Sequence, residues 1–324
     1  MRRRDFITLL GGATLAVPQI ARAQQKTARI GFLGLVSASS HASRTAALRA
    51  GLRDLGYIEG KNLVIEFRWA EGNYERLPAL AEELVRLNVD VLLTHGASGA
   101  FAAKRATSTI PIVITAAGDI VELGLVSSLS RPGGNITGLS LFSAAYTAKR
   151  LELMKEAIPS LTKAALLVNP DNATYGRVVQ EVETTAKALN VELRKFEVRL
   201  PRDIEGAFSA MASEKIEAVV IHEDTVLLAN AAMIADLAMK KRLPSCGFPE
   251  LVKAGGLIAY GINFPDTDYR AATFVDKILK GAKPGDLPIE RSTKFDVIVN
   301  LKTAKAIGVT LPTAILLRAD EVIE

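Results

Sequence analysis

From residue 28 onward, short apolar runs rich in Val, Ile and Leu alternate with longer segments whose apolar residues return every three or four positions. The first pattern is that of a buried strand, the second that of an amphipathic helix. Residues 28–33 read as a strand, 43–55 as a helix, 62–69 as a strand, and 74–87 as a helix whose apolar face is Leu77, Leu80, Ala81, Leu84 and Leu87. Residues 89–94, 97–106 and 110–115 continue as strand, helix and strand. Residues 121–130 read as a helix stopped by Arg131-Pro132-Gly133-Gly134-Asn135, where Pro and paired Gly cannot continue it. This order predicts a parallel sheet with helices on both faces.

The alternation then restarts: strands at 164–169, 191–198 and 218–222, and helices at 174–189, 203–213 and 226–240. The remaining pieces are a strand at 256–260, a helix at 266–279, a Gly/Pro linker at 280–287, a strand at 294–299 and a short helix at 301–307. They are too few to bury a core alone, so they complete the two earlier units. The expected fold is α/β, two doubly wound Rossmann-like lobes joined by several crossovers. The predicted division is a leader at 1–23, a first lobe of 24–142 plus about 247–286, and a second lobe of 143–246 plus about 287–324. Such sheets bind ligands outside the carboxyl ends of their strands, here in a cleft between lobes.

The leader has the three parts of an export signal: a basic head at Arg2-Arg3-Arg4, an uncharged middle at 8–20, and a small-x-small end at Ala21-Arg22-Ala23. Its middle is too short for a permanent membrane anchor. Arg3-Arg4-Asp5-Phe6-Ile7 follows the twin-arginine pattern, with the general export route as the alternative and cleavage expected after Ala23. Loss of residues 1–23 removes four arginines and one aspartate, lowering the formal charge from +5 to about +2. The remaining basic residues are interspersed with Glu and Asp, so nucleic acid is not an expected partner. Cys246 is the only cysteine, which excludes an internal disulfide and leaves stability to a large core in a chain of 49% hydrophobic residues. It is expected to be a buried, inert thiol.

Three stretches carry a family resemblance: residues 51–62, running Gly51-Leu52-Arg53-Asp54-Leu55-Gly56 and on to Asn62; Arg131-Pro132-Gly133-Gly134-Asn135-Ile136-Thr137-Gly138; and Asn300-Leu301-Lys302-Thr303-Ala304-Lys305. They resemble the ABC-transporter substrate-binding family that includes tryptophan- and tyrosine-binding lipoproteins. The likeness extends to Leu317-Arg318-Ala319-Asp320-Glu321. It implies a periplasmic-binding fold of type I, a small polar ligand with an amino-acid-like one favoured, an ABC permease as membrane partner, a monomer, and no cofactor, metal or enzymatic activity. Several family members are lipoproteins, whereas no cysteine stands at the cleavage point of this chain. A free periplasmic protein is therefore expected.

Candidate ligand contacts lie at the strand ends. Ser98, in the turn that opens a helix after His95-Gly96-Ala97, can offer a hydroxyl beside free backbone N–H groups to an anion, or merely cap its helix. Thr115 and Asp119 end the next strand; Asp119 can meet a ligand ammonium or cap the following helix. Ser37 sits in the small-residue loop after the first strand. In the second lobe the resemblance favours Asn169 and Asp224 as polar contacts, with Tyr175 as an aromatic wall or packing residue; Phe248, near the expected third crossover, is a cleft or hinge candidate.

Enzyme readings find no support. Gly31-Phe32-Leu33-Gly34 is not the dinucleotide fingerprint, no phosphate-binding loop or Gly-x-Ser-x-Gly elbow occurs, and His41, His95 and His222 are too scattered to argue a metal site. A sensory module of the same fold, docking on a membrane receptor, is the alternative to transport.

Overall fold

The computed structural model describes residues 27–291 and 295–324. The segment expected to be an export signal, 1–23, lies outside the described residues. Five strands of the first unit are β1 (Ala28–Gly34), β2 (Leu63–Trp69), β3 (Val91–Thr94), β4 (Ile112–Ala117) and β5 (Ile136–Ser140). With β11 (Glu290–Arg291) they form a parallel sheet in the order β11-β5-β4-β3-β1-β2. The second sheet holds β6 (Lys163–Val168), β7 (Glu192–Glu197), β8 (Ala218–Ile221), β9 (Ser245–Gly247), β10 (Ile258–Gly261), β12 (Asp296–Asn300) and β13 (Glu321–Ile323), ordered β13-β12-β10-β9-β8-β6-β7. Within it β12 is antiparallel to β10. Both sheets therefore start from the same doubly wound order, second strand, first, third, fourth, fifth.

Helices α1 (Ala42–Asp54), α2 (Leu77–Arg86) and α3 (Gly96–Ala106) cover the first sheet, and α4 (Ser143–Ala157), α5 (Tyr175–Ala188), α6 (Ile204–Ser213), α7 (Thr225–Ala229), α8 (Ala231–Lys240) and α9 (Pro249–Lys253) the second. The long α10 (Phe264–Leu279) returns to the first, where Ala271, Ala272 and Val275 pack beside Leu48 and Leu52 of α1. Short α11 (Leu301–Ile307) and α12 (Thr313–Leu316) close the second lobe. The central strands are buried along their whole length, as parallel strands covered on both faces must be: every residue of β3, β4 and β8 is inaccessible.

Two expectations are corrected. The predicted helix at 121–130 is a single turn: Leu123 N–H bonds Asp119 O, then Gly124 takes the left-handed conformation at φ +68° and ends the run. The division near 247–286 also changes. Strands β9 and β10 extend the second sheet, so the return to lobe 1 begins at α10, and β11 pairs with β5 instead of joining lobe 2. The chain thus passes between sheets after β5, after β10, and between β11 and β12.

Candidate functional site

A cavity lies between the carboxyl ends of the two sheets. Lobe 1 lines it with Arg44, His95 and the first residues of α3, Gly96 and Ala97, and with Gly118 after β4. Lobe 2 supplies Asn172, Thr174, Glu223 and Asp224, while Leu141 and Phe264 belong to the crossovers. Gly118 permits close approach of the lobes, because a Cβ there would lie 2.7 Å from Thr174 Cγ2 and 3.0 Å from Ser143 Oγ.

Each lobe carries one buried arginine–carboxylate pair, and the two are arranged with opposite polarity. In lobe 1, Arg44 lines the cavity and is held from behind by Asp268, Nε to Oδ2 at 2.5 Å, with Phe264 under its guanidinium at 4.7 Å and Thr115 Oγ1 accepting from Nη2 at 3.5 Å. In lobe 2, the carboxylate faces the cavity and the arginine stands behind. Arg150 is fully buried and donates to Tyr260 O, Ile221 O and Glu223 Oε1, each at 2.8 Å. Glu223 lines the cavity with a side chain only 3% exposed, and its Oε2 has no hydrogen-bond partner among the described residues. Burial raises Asp268 above the usual carboxylate range, against the lowering effect of the Arg44 charge. Such pairs hold their charges only because the partner offsets lost hydration.

Asp224 follows Glu223 directly and has a different task. Its Oδ1 accepts from Asn169 Nδ2 at 3.2 Å and from the N–H groups of Val226 and Leu227, capping α7, and its Oδ2 accepts from Asn172 Nδ2 at 2.9 Å and Tyr74 Oη at 3.0 Å. Five donors exhaust a carboxylate's lone-pair sites. Asp224, expected as a ligand cation contact, therefore has no free acceptor to offer one. Asn169 is a buttress of the same network, its Oδ1 accepting from Asp171 N–H at 3.0 Å.

The other sequence candidates scatter. Ser98 turns away from the cavity and donates to Asp171 O at 3.4 Å, leaving Gly96 and Ala97 as the part of α3 that lines it. Thr115 is fully buried and steadies Arg44 from outside the lining. Asp119 caps its own turn through Val121 and Glu122 N–H, pairs with Arg291 at 3.2 Å, and opens onto an adjoining cavity with Phe142 and Arg177. Ser37 bonds Ser39 and Ser40 beside a separate shallow cavity. Tyr175 donates to Glu197 Oε1 at 2.8 Å on the outer side of α5, and Phe248 is sealed in the core with Phe208, Ile221 and Leu251. Arg44 was missed altogether, since its partner is 224 residues away.

Two buried histidines stand at the cleft, His95 in its lining and His222 bonded to the lining residue Thr174. Burial drives His222 down to about 3, with the Arg150 charge adding to the effect, while Thr147 and Thr174 hydroxyls meet its two ring nitrogens at 3.2 Å. His95 is likewise pushed far below its ordinary range by burial and then by Arg44; its Nε2 accepts from Leu35 N–H at 3.2 Å. Among the described residues no cluster of three or more His, Cys, Asp or Glu is placed to hold a metal ion.

Two lobes with a charged cleft between them invite comparison with transport proteins. Residues 29–323 match the ABC transporter substrate binding protein family. The chain belongs to that family. It is 28% identical over 284 residues to a tyrosine-binding protein of Clostridioides difficile, covering 87% of this chain and 81% of that one. An ABC domain in complex with L-Trp from Streptococcus pneumonia superposes with a TM-score of 0.81 at 25% identity, over 91% of this chain and all of that one. The ligand-free, open structure of a substrate-binding protein with adhesive properties from Clostridium difficile gives 0.63 at the same identity, over 91% of this chain and 99% of that one. The fold is that of a type I periplasmic binding protein, and this is the substrate-binding protein of an ABC transporter. Its lobes are closed: Tyr74–Asp224, Ser98–Asp171 and Glu122–Arg177 all bridge them.

Proposed function

We propose that the protein is the periplasmic capture component of an ABC importer, closing on an aromatic α-amino acid and delivering it to an inner-membrane permease. The observation that carries this reading is the inverted polarity of the two buried pairs, Arg44 offered by one lobe and Glu223 by the other. Each pair is balanced within its lobe. A ligand with a net charge would leave one charge uncompensated in the closed cleft, whereas a zwitterion brings its own balance. Arg44 and the uncapped start of α3 suit the carboxylate. Leu141, Leu228 and Phe264 provide apolar wall for a side chain. Binding of tyrosine and tryptophan by the two relatives supports the aromatic class.

Periplasmic location is supported by the export signal in residues 1–23, and delivery to a permease by the family. Native mass spectrometry of the protein purified without denaturation, followed by calorimetry with L-tryptophan and L-tyrosine, tests the ligand. An adduct of one amino-acid mass and saturable binding are expected. A copurified ligand lacking either a carboxylate or an amine would refute the reading.

A further inference from the structure

Glu223 differs from every other carboxylate around the cleft. Asp224 is saturated by five donors, Asp119 is engaged by Arg291 and its own turn, and Asp268 sits behind Arg44 outside the lining. Asp268 and Glu250 also keep a buried oxygen without a partner, but among the described residues only Glu223 does so while lining the cavity. Its other oxygen is fixed. Arg150 is clamped by two backbone carbonyls at the ends of β8 and β10, so the guanidinium that holds Oε1 cannot follow the carboxylate elsewhere. The space on the far side is also closed, since a Cβ on Gly261 would lie 3.0 Å from Oε1 and 3.2 Å from Arg150 Nη2. A carboxylate so confined presents Oε2 in one direction with no ordering cost when a donor arrives.

We propose that Glu223 is the residue that reads the ligand's amino group, with Arg150 as its positioning residue. The assignment rests on the amino-acid reading above and adds a specificity to it. A buried oxygen without a donor carries an unmet desolvation cost, and an ammonium relieves it with a charge-assisted bond. An analogue of the same shape without the amine leaves that cost in place and is rejected. Discrimination is thus built on a missing partner, not on shape.

The test is calorimetry of the mature protein with L-tryptophan, L-tyrosine and their des-amino counterparts, 3-indolepropionate and 3-(4-hydroxyphenyl)propionate, in wild type and Glu223→Gln. Wild type should prefer the amino acid by roughly 30-fold or more, the usual effect of truncating one partner of a desolvated charge pair. In Glu223→Gln that preference should collapse to within about threefold while affinity for the des-amino acid holds. Preference retained in full by Glu223→Gln overturns the assignment and leaves the amino-acid reading standing. Wild type that binds neither amino acid overturns both. Should Glu223→Gln fail to fold, Glu223→Asp keeps the charge and the arginine but withdraws the free oxygen by a methylene, and an unchanged preference there overturns the assignment equally.

Discussion

The two lobes solve one problem in opposite ways. Lobe 1 shows the cleft an arginine and hides its carboxylate; lobe 2 shows a carboxylate and hides its arginine. The hidden partners differ in consequence. Asp268 holds Arg44 through one contact and can take up a proton, being already raised by burial. Arg150 cannot give up its proton and also satisfies two buried backbone carbonyls. Lobe 2 has therefore tied its fold to its charge pair, whereas lobe 1 has kept a pair that can neutralise itself.

The largest effect should come from breaking the pairs from the arginine side. Arg150→Met strands Glu223 and leaves the Ile221 and Tyr260 carbonyls unmet, for a loss of about 3–5 kcal/mol. Arg44→Met should cost clearly less, because Asp268 can protonate once its counter-charge is gone. Urea denaturation without ligand measures both. Equal losses would erase the distinction between the lobes.

Acid should separate the lobes next. Two of the buried neutral imidazoles, His41 and His95, belong to lobe 1 and one, His222, to lobe 2, and all three are pushed down chiefly by burial. A histidine with a depressed folded value contributes stability that is intact above its unfolded value of 6.5 and lost as pH falls below it. For His222 the loss runs from pH 6.5 to about 3, reaching about 2 kcal/mol by pH 5. Asp224, Asp268 and Glu250, all raised by burial, act in the opposite sense: their stabilisation is present at low pH and is lost as pH rises through their folded values. The difference between wild type and His222→Gln removes those contributions, since glutamine does not titrate. Melting of the two proteins at pH 7 and pH 5 should converge by that amount in acid; parallel pH profiles would mean His222 is charged in the folded state.

Why these features were or were not legible in the sequence follows from their range. Strand ends could be read because parallel strands all deliver their carboxyl ends to one rim: Asp224 and Asp119 each line a cavity there, and Asn169 bonds Asp224 behind it. Which carboxylate of Glu223-Asp224 is free could not be read. That depends on Asn169, Asn172 and Tyr74, the last from the other lobe and 150 residues distant. Arg44 and Arg150 lie within helices, where an arginine looks like any solvated position until its partner is known. Sheet membership of 245–261 was equally hidden, because an apolar run announces a strand but not its neighbour. Gly124 was the overlooked signal for the false helix at 121–130.

The smallest effect isolates closure from both pairs. Tyr74 belongs to lobe 1 and donates to Asp224 of lobe 2 at 3.0 Å, and burial together with the Asp224 charge keeps its hydroxyl protonated at any ordinary pH. This bond can exist only when the lobes meet. Tyr74→Phe deletes it while Asp224 retains four donors from its own lobe, so no unpaired charge is left behind. The cost should be that of one net hydrogen bond, about 1 kcal/mol, or roughly fivefold in ligand affinity. Because the open form never makes the bond, affinity should fall through a smaller closed population and not through altered contacts to the ligand. Small-angle scattering at saturating amino acid should then show the same compact state for Tyr74→Phe and wild type, reached at higher ligand concentration. A variant that saturates without compacting would show that this single hydroxyl, and not the ligand's two charges, decides whether the lobes stay shut.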